Sequence, residues 1–384
     1  MSKKILFCAT VDYHFKAFHL PYMNWFQQQG WEVHVAAAGN IDLPYTDKQY
    51  NIAIQRSPFH SANIKAYKQL KEITHQNNYS MIHCHTPFGG VLARLAARET
   101  RKKGTKVIYT AHGFHFCKGA PIQNWLFYYP IERILSIYTD TLILINQEDY
   151  HLARTHKFKA GSIEHVHGVG VDTEKYKPVH EKKKRELRKS FGYNADDFLL
   201  FYAAEFNKNK NQQLLLHALA LLKDKVPNAK LILAGEGPLL KSCQQLAYQL
   251  GVNGMVNFLG FRKDIDQILP MCDIGVASSL REGLPVNIME AMACGLPVIA
   301  VDNRGHRELI ENGKHGWIIS NPNAVKFANK LIQVSNIAEP GLTFGKCARE
   351  KIESAYTINK ILMEKRKIYE KHMGEWGEVH WAVH

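Results

Sequence analysis

The sequence predicts an α/β protein of two doubly wound, Rossmann-like parallel-sheet domains facing a cleft. Three observations predict it. A length of 384 residues corresponds to two domains at about 100–200 residues each. Short, β-rich apolar runs alternate with amphipathic helical periods. The alternation pauses once, in a charged stretch, and then restarts.

In the first half the strands read KKILFCA, WEVHVAA, SMIHCH, KVIYTA and TLILIN. Their near-continuous apolar character is that of parallel strands buried on both faces. Helical periods such as AYKQLKEITHQ, GGVLARLAARETRKK and QEDYHLARTHK lie between several of them. Periodicity then fades through the basic run KKKRELR at 182–188, read as a solvated linker or helix face rather than a nucleic-acid patch. A domain boundary is expected near 178–190, where charge rises. The second half repeats the scheme. FLLFYAA, KLILAG, VNFLG, DIGVAS and PVIAVD read as strands; NQQLLLHALALLKDKV, PLLKSCQQLAYQLG and PVNIMEAMAC read as helices. The domains expected are 1–178 and 179–360, followed by a helix and tail at 361–384 with the option of packing back on the first domain. One long basic helix is expected over about 348–372. No G-x-G-x-x-G follows the first strand, which argues against a standard dinucleotide site.

The net charge of +14 favours polyanionic partners: nucleic acid, an anionic membrane surface or phosphorylated substrates. The seven cysteines form no C-x-x-C pair, and most sit in apolar segments, as suits small buried thiols in a reduced compartment. No secretory signal is read at residues 1–4, and no stretch reaches the 18 apolar residues of a spanning helix. A cytoplasmic location is expected on these grounds.

The strongest local signal is SSLREGLPVNIMEAMACGLP at 278–297. Gly283 lets backbone approach a ligand, and Pro285 is placed to start a helix. That helix is expected to run to about Cys294 and stop at Gly295, with Pro297 close behind. Glu282 would lie in the loop and Glu290 one to two turns into the helix. Backbone N–H groups near Gly283, Leu284 and Val286 would face an anionic ligand at the positive helix end. The two carboxylates can accept hydrogen bonds from sugar or ribose hydroxyls.

On these residues the chain resembles the family 4 glycosyltransferases, which have the GT-B fold. The motifs are E-G-L-P-x-x-x-x-E at 282–290, A-x-x-x-G-x-P-V-I-A at 291–300, N-R-G-H-R-E-L-I at 303–310, T-A-H-G at 110–113, and G-x-G-P at 235–238 through Gly235, Glu236 and Gly237. The resemblance implies that Glu282 hydrogen-bonds the donor sugar and Glu290 accepts from the ribose. Gly283, Leu284 and Pro285 would shape the loop under sugar and phosphates. His112 would reach across the cleft to the donor sugar, and Lys210 would contact the diphosphate. A fixed cation there is chemically apt, because the leaving nucleoside diphosphate gains charge as the bond breaks. One departure stands out: Glu205 occupies the place where the family usually carries a diphosphate-binding arginine, so Lys208 or Arg281 compensates or the diphosphate is held differently.

The N-terminal half, through residues 8–22, 83–98 and T-A-H-G-F-H-F, is similar to bacterial exopolysaccharide and capsule transferases. The resemblance implies a retaining, metal-independent transfer from a nucleotide-sugar, UDP by default, to a glycan or undecaprenyl-linked acceptor. No cofactor is expected. Asp12 and His14, after the first strand, are candidates for acceptor contact, with loop capping an equal reading. His83, His85, His112 and His115 are expected to converge at strand ends, as cleft-lining histidines rather than a zinc set. The aromatic-basic segment 114–138, with Trp125, Phe127, Tyr128 and Tyr129 beside Lys118 and Arg133, reads either as a membrane-surface element or as a core helix.

Three other classes compete. A sugar-nucleotide 2-epimerase shares the architecture but needs no acceptor site. A basic nucleic-acid-binding protein is permitted by charge, yet no module motif or interleaved aromatics support it. A non-catalytic sugar-nucleotide binder would show no turnover.

Overall fold

Residue alternation along the first strand shows why two layers of helix surround it. In the computed structural model, β1 (Lys4–Val11) sends Ile5, Phe7 and Ala9 to one core with Trp25 and Phe26. Leu6 and Cys8 go to the opposite core with Leu70 and Leu92. Both faces are apolar, so both must be covered. The structure describes residues 3–55, 57, 59–321, 323–337 and 341–373.

Six further strands follow: β2 (Glu32–Ala38), β3 (Lys48–Asn51), β4 (Met81–His85), β5 (Lys106–Ala111), β6 (Thr141–Leu144) and β7 (Ser162–His165). They pair in parallel in the order β3-β2-β1-β4-β5-β6-β7. A second sheet contains β8 (Phe198–Ala203), β9 (Ala229–Ala234), β10 (Val256–Gly260), β11 (Ile274–Ala277), β12 (Val298–Val301) and β13 (Gly316–Ile319). Its order is β10-β9-β8-β11-β12-β13, again parallel. In each sheet the order reverses beside the first strand, which marks the switch point where such sheets bind ligands at their carboxyl ends.

The chain divides into two compact units, Met1–Val169 with Ile361–His384, and Gly170–Lys360. Residues 170–178, read with the first domain on charge and periodicity, join the second unit. Val171 pairs in a parallel bridge with Thr357, and Arg349 donates to the carbonyls of Thr173 and Tyr176. The single helix expected over 348–372 is two, Lys346–Ala355 and Ile358–Met373. The break follows from that bridge. Val171 N–H donates to the Tyr356 carbonyl at 2.9 Å and Ile358 N–H to the Val171 carbonyl at 3.1 Å, so these groups leave the helical ladder. From Ile361 onward the last helix belongs to the first unit, where Ile361, Ile368 and Tyr369 join the core around Phe7. The basic run at 182–188 lies within the helix Glu181–Ser190 and is mostly a solvated face. Arg188 is the exception, buried, with Nη2 donating to both carboxylate oxygens of Asp273 at 2.7 Å.

Candidate functional site

In the second unit two loops meet at the carboxyl ends of β8 and β11. The first, 204–211, leads into the helix Gln212–Leu222; Asn207 Oδ1 accepts from Lys210 N–H at 3.0 Å and Asn211 takes a left-handed φ of 51°. The second, 278–285, leads into the helix Val286–Ala293. They are stitched together. Leu280 N–H donates to the Asn209 carbonyl at 2.8 Å, Asn209 Nδ2 to the Arg281 carbonyl at 2.9 Å, and Ser278 Oγ to the Lys210 carbonyl at 2.7 Å. The stitching brings Lys210 Nζ to Glu282 Oε1 at 2.5 Å, with both side chains mostly shielded from solvent.

Pro285 is the residue just before the helix, Cys294 caps its end and Gly295 follows with φ of 73°. Glu290 sits on the helix's second turn. Loss of hydration raises its pKa to about 7, against the opposing pull of the Tyr176 hydroxyl and Lys175. Gly235 and Gly237 have φ of 139° and 148°. A Cβ on Gly235 would lie 2.1 Å from the Ala204 carbonyl oxygen, so only glycine lets the loop lie flat on the end of β8. Glu236 joins through its backbone: Phe206 N–H donates to its carbonyl at 2.8 Å. Glu205 is exposed, and its carboxylate accepts from Asn207 Nδ2 at 3.1 Å. Lys208 and Arg281 are exposed on the two stitched loops. Gly283 and Leu284 are half-buried between Glu282 and the helix start.

Arg304 and Tyr176 belong to this site although the sequence did not single them out. Buried Arg304 donates from Nε to the Glu282 carbonyl at 3.1 Å. A Cβ on Gly305 would meet Glu282 Cβ at 2.8 Å, so the turn behind the glutamate is packed without slack. The motif at 303–310 contained the signal for Arg304; Tyr176 had none, since its contact with Glu290 depends on the course of 171–178.

In the first unit the histidines that converge are not the four expected. His14, His19, His85 and His112 each bring a ring nitrogen within 4.8 Å of the others. His83 instead bonds to Tyr369 and Thr110, both at 2.8 Å. His115 stacks on Tyr128 with ring centroids 4.6 Å apart. The strand alternation that pointed His83 and His85 to one face was insufficient, because the loop helices after β1 supply two of the four rings. Burial lowers the pKa of all four, His14 to about 4. Lys365, from the last helix, is buried over the Tyr22 ring at 4.4 Å and its pKa is lowered to about 7 by desolvation. Asp12 is turned away: its Oδ2 accepts from Ile41 N–H at 2.7 Å and abuts Gly39. It pins the loop after β2.

A cavity of about 700 Å³ opens beside His14, lined by Val11, Phe18, Phe88, Phe127 and Ile131 among others. Thr86 at its edge holds an unusual φ of 62°, kept there by its hydroxyl, which accepts from Thr10 N–H at 3.0 Å and shares a hydrogen bond with the Thr10 hydroxyl at 2.8 Å. One wall is the helix Ile122–Leu135. Its inner face is anchored by Glu132, which is buried and takes Arg94 Nη2 at 2.9 Å and the Tyr109 hydroxyl at 3.1 Å. Trp125, Tyr128 and Tyr129 pack against the core. Its outer face exposes Ile122, Leu126, Phe127, Ile131 and Ile134, between 42% and 70%, with Lys118 and Arg133 exposed nearby. The inner face is that of a core helix, and the outer face carries exposed apolar side chains.

Two parallel-sheet units, each reversing strand order beside its first strand, define an α/β protein of the GT-B class. Residues 4–146 match the family described as glycosyl transferase 4-like, and residues 183–351 match glycosyl transferases group 1. The chain belongs to this glycosyltransferase family and is an enzyme of that class. It is similar to the glycosyltransferase EpsD of Bacillus subtilis (strain 168), 50% identical over 373 residues that cover 97% of this chain and 98% of that one. It is 28% identical, over 80% of this chain and 78% of the other, to the Escherichia coli UDP-Gal:alpha-D-GlcNAc-diphosphoundecaprenol alpha-1,3-galactosyltransferase. Its fold is shared with Anabaena Alr3699/HepE, a structure in complex with UDP and glucose, at a TM-score of 0.79 and 20% identity over 96% of this chain and 100% of that one.

Proposed function

We propose that this glycosyltransferase moves a hexosyl or N-acetylhexosaminyl group from a UDP-sugar to a glycan carried on a diphospho-undecaprenol lipid, in exopolysaccharide or capsule assembly. The observation that carries the donor half is the Lys210–Glu282 pair at the ends of β8 and β11. A nucleoside diphosphate arriving there competes for the lysine and frees the glutamate to accept from a sugar hydroxyl. Glu290, whose carboxyl burial pushes up to about 7 while the Tyr176 hydroxyl pulls the other way, is the acceptor for ribose hydroxyls. Gly283, Leu284 and Pro285 form the loop under the phosphates, and Gly235, Glu236 and Gly237 the floor beside them. Because Glu205 is an acid where an arginine is usual, Lys210 with the exposed Lys208 and Arg281 supplies the positive charge.

The leaving phosphate oxygen takes the acceptor hydroxyl's proton on the face it departs from, which retains configuration and needs no covalent nucleophile. The protein's part is positioning and stabilising charge on the diphosphate, with no metal at that position. His14 lies on the acceptor side at the cavity wall.

The acceptor's lipid supports the outer face of the helix Ile122–Leu135. Exposed isoleucine, leucine and phenylalanine flanked by Lys118 and Arg133 match an anionic bilayer surface. Among the described residues no helix is long and apolar enough to cross a membrane, so the association proposed is peripheral, on the inner face of the cell membrane. The relatives named for lipid-linked acceptors give this reading its acceptor class.

Thermal unfolding against a panel of nucleotides and nucleotide-sugars without added metal tests the donor half. Selective stabilisation by UDP and one UDP-sugar supports the reading. Stabilisation by nucleic acid and by no nucleotide overturns it.

A further inference from the structure

We propose that His14, His19, His85 and His112 bind a divalent transition-metal ion of the zinc class, at a site separate from the donor loops. The spacing is the first ground. His14 Nε2 and His19 Nε2 are 3.0 Å apart, and His112 Nε2 and His85 Nδ1 are 3.4 Å apart. Four nitrogens at about 2.0–2.1 Å around a tetrahedral zinc stand about 3.3–3.4 Å from one another. Two such pairs, with all four residues offering a nitrogen within 4.8 Å, bring four imidazoles close enough to share one ion.

The second ground is how poorly the rings are satisfied otherwise. Core histidines normally find hydroxyl or carbonyl partners, as His83 does with Tyr369 and Thr110. His19 and His85 are fully buried, yet His19 Nδ1 and His85 Nε2 have no hydrogen-bond partner among the described residues. Ring-to-ring contacts alone leave a cluster of desolvated imidazoles. A shared cation replaces the two ring-to-ring contacts with four coordinate bonds through His14 Nε2, His19 Nε2, His85 Nδ1 and His112 Nε2; His19 Nδ1 and His85 Nε2 lie on the far side of their rings.

The donor set selects the ion. Four neutral imidazoles without a carboxylate suit zinc, cobalt, nickel or copper and exclude calcium and magnesium. The entry path is present, because His14 lines the 700 Å³ cavity and His112 is partly exposed. The ion would tie the helix Tyr13–Phe18 and the start of Leu20–Gln28 to the ends of β4 and β5. Metal on Nε2 of His112 would also fix that ring's tautomer, leaving an Nδ1–H to donate.

The test uses the full chain after dialysis against a chelator, titrated with cobalt(II) and then zinc. One equivalent of cobalt per chain with the intense visible bands of a tetrahedral nitrogen site, displaced by zinc, is the expected result. His19→Gln and His112→Gln should each abolish the bands, and the exposed control His217→Gln should retain them. His112 is at the partly exposed edge, so its variant remains informative if His19→Gln does not fold. Absence of uptake by the wild type, a weak octahedral spectrum, or bands retained in folded His112→Gln would overturn the proposal; none of these readouts depends on sugar transfer.

Discussion

Lys210 donates its ammonium to Glu282 at 2.5 Å across 72 residues of sequence, joining the loops that follow β8 and β11. The contact means that neither residue is preset for substrate alone. Each holds the other in place until a ligand with a phosphate for the lysine and a hydroxyl for the glutamate exchanges partners with them.

Glu282→Gln keeps the size of the side chain and loses its charge. Turnover is expected to fall about 100- to 1,000-fold, the cost of removing one charged group that acts on the transition state. Thermal unfolding should change little. Normal turnover in the folded variant would remove Glu282 from the reaction.

Lys210→Ala should weaken UDP binding about 10- to 100-fold, the loss of one charged hydrogen bond of about 1.5–3 kcal/mol. Uridine binding should weaken far less. Calorimetric titration with both ligands reads the difference, and equal losses would contradict a phosphate contact.

Glu290 gives the site a pH dependence with a definite sign. Its folded pKa is raised to about 7 from 4.5 by desolvation, so the folded protein favours the neutral form. Its contribution to stability is fully present below 4.5 and is lost as pH rises from there to about 7. Ribose binding favours the carboxylate as acceptor, so UDP affinity should rise as pH passes through 7. Glu290→Gln should flatten that rise; an unchanged profile in the variant would dissociate Glu290 from the nucleotide.

Leu126→Glu with Ile131→Glu places two charges on the outer face of the helix Ile122–Leu135. Each buried aliphatic side chain contributes about 1.5–3 kcal/mol to an apolar contact, so vesicle binding should drop by at least about 100-fold. Cosedimentation with anionic vesicles measures it, while UDP affinity should stay constant. Undiminished sedimentation would remove this face from membrane contact.

Much of this architecture was legible because buried parallel strands are continuously apolar. β1, β2, β4, β5 and β6 are buried over most of their length and β8, β9, β11 and β12 likewise, and all nine stood out by composition. The strands that were not read are edge or short elements: β3 is KQYN, largely exposed, β7 is SIEH, and β13 is GWII, whose four residues follow a turn. Their strand character comes from ladder bonds to a neighbour, which no local pattern reveals. The 282–290 loop and its helix were readable from Gly, Pro and capping chemistry. The Lys210–Glu282 contact, Arg304 behind the loop and Tyr176 on Glu290 were not, because each joins segments distant in sequence. His19 was missed for the same reason: the backbone turn between the helices Tyr13–Phe18 and Leu20–Gln28 is what aims it at His14 and His85.

The most direct measurement is transfer itself. Labelled UDP-sugars are incubated with the enzyme in the presence and absence of a diphospho-undecaprenol-linked sugar, and products are followed by mass. UDP release that depends on the acceptor is expected, with a lipid-linked product heavier by one sugar and its anomeric configuration retained. Conversion of the donor to an epimer without acceptor, or a product of inverted configuration, would contradict this reading.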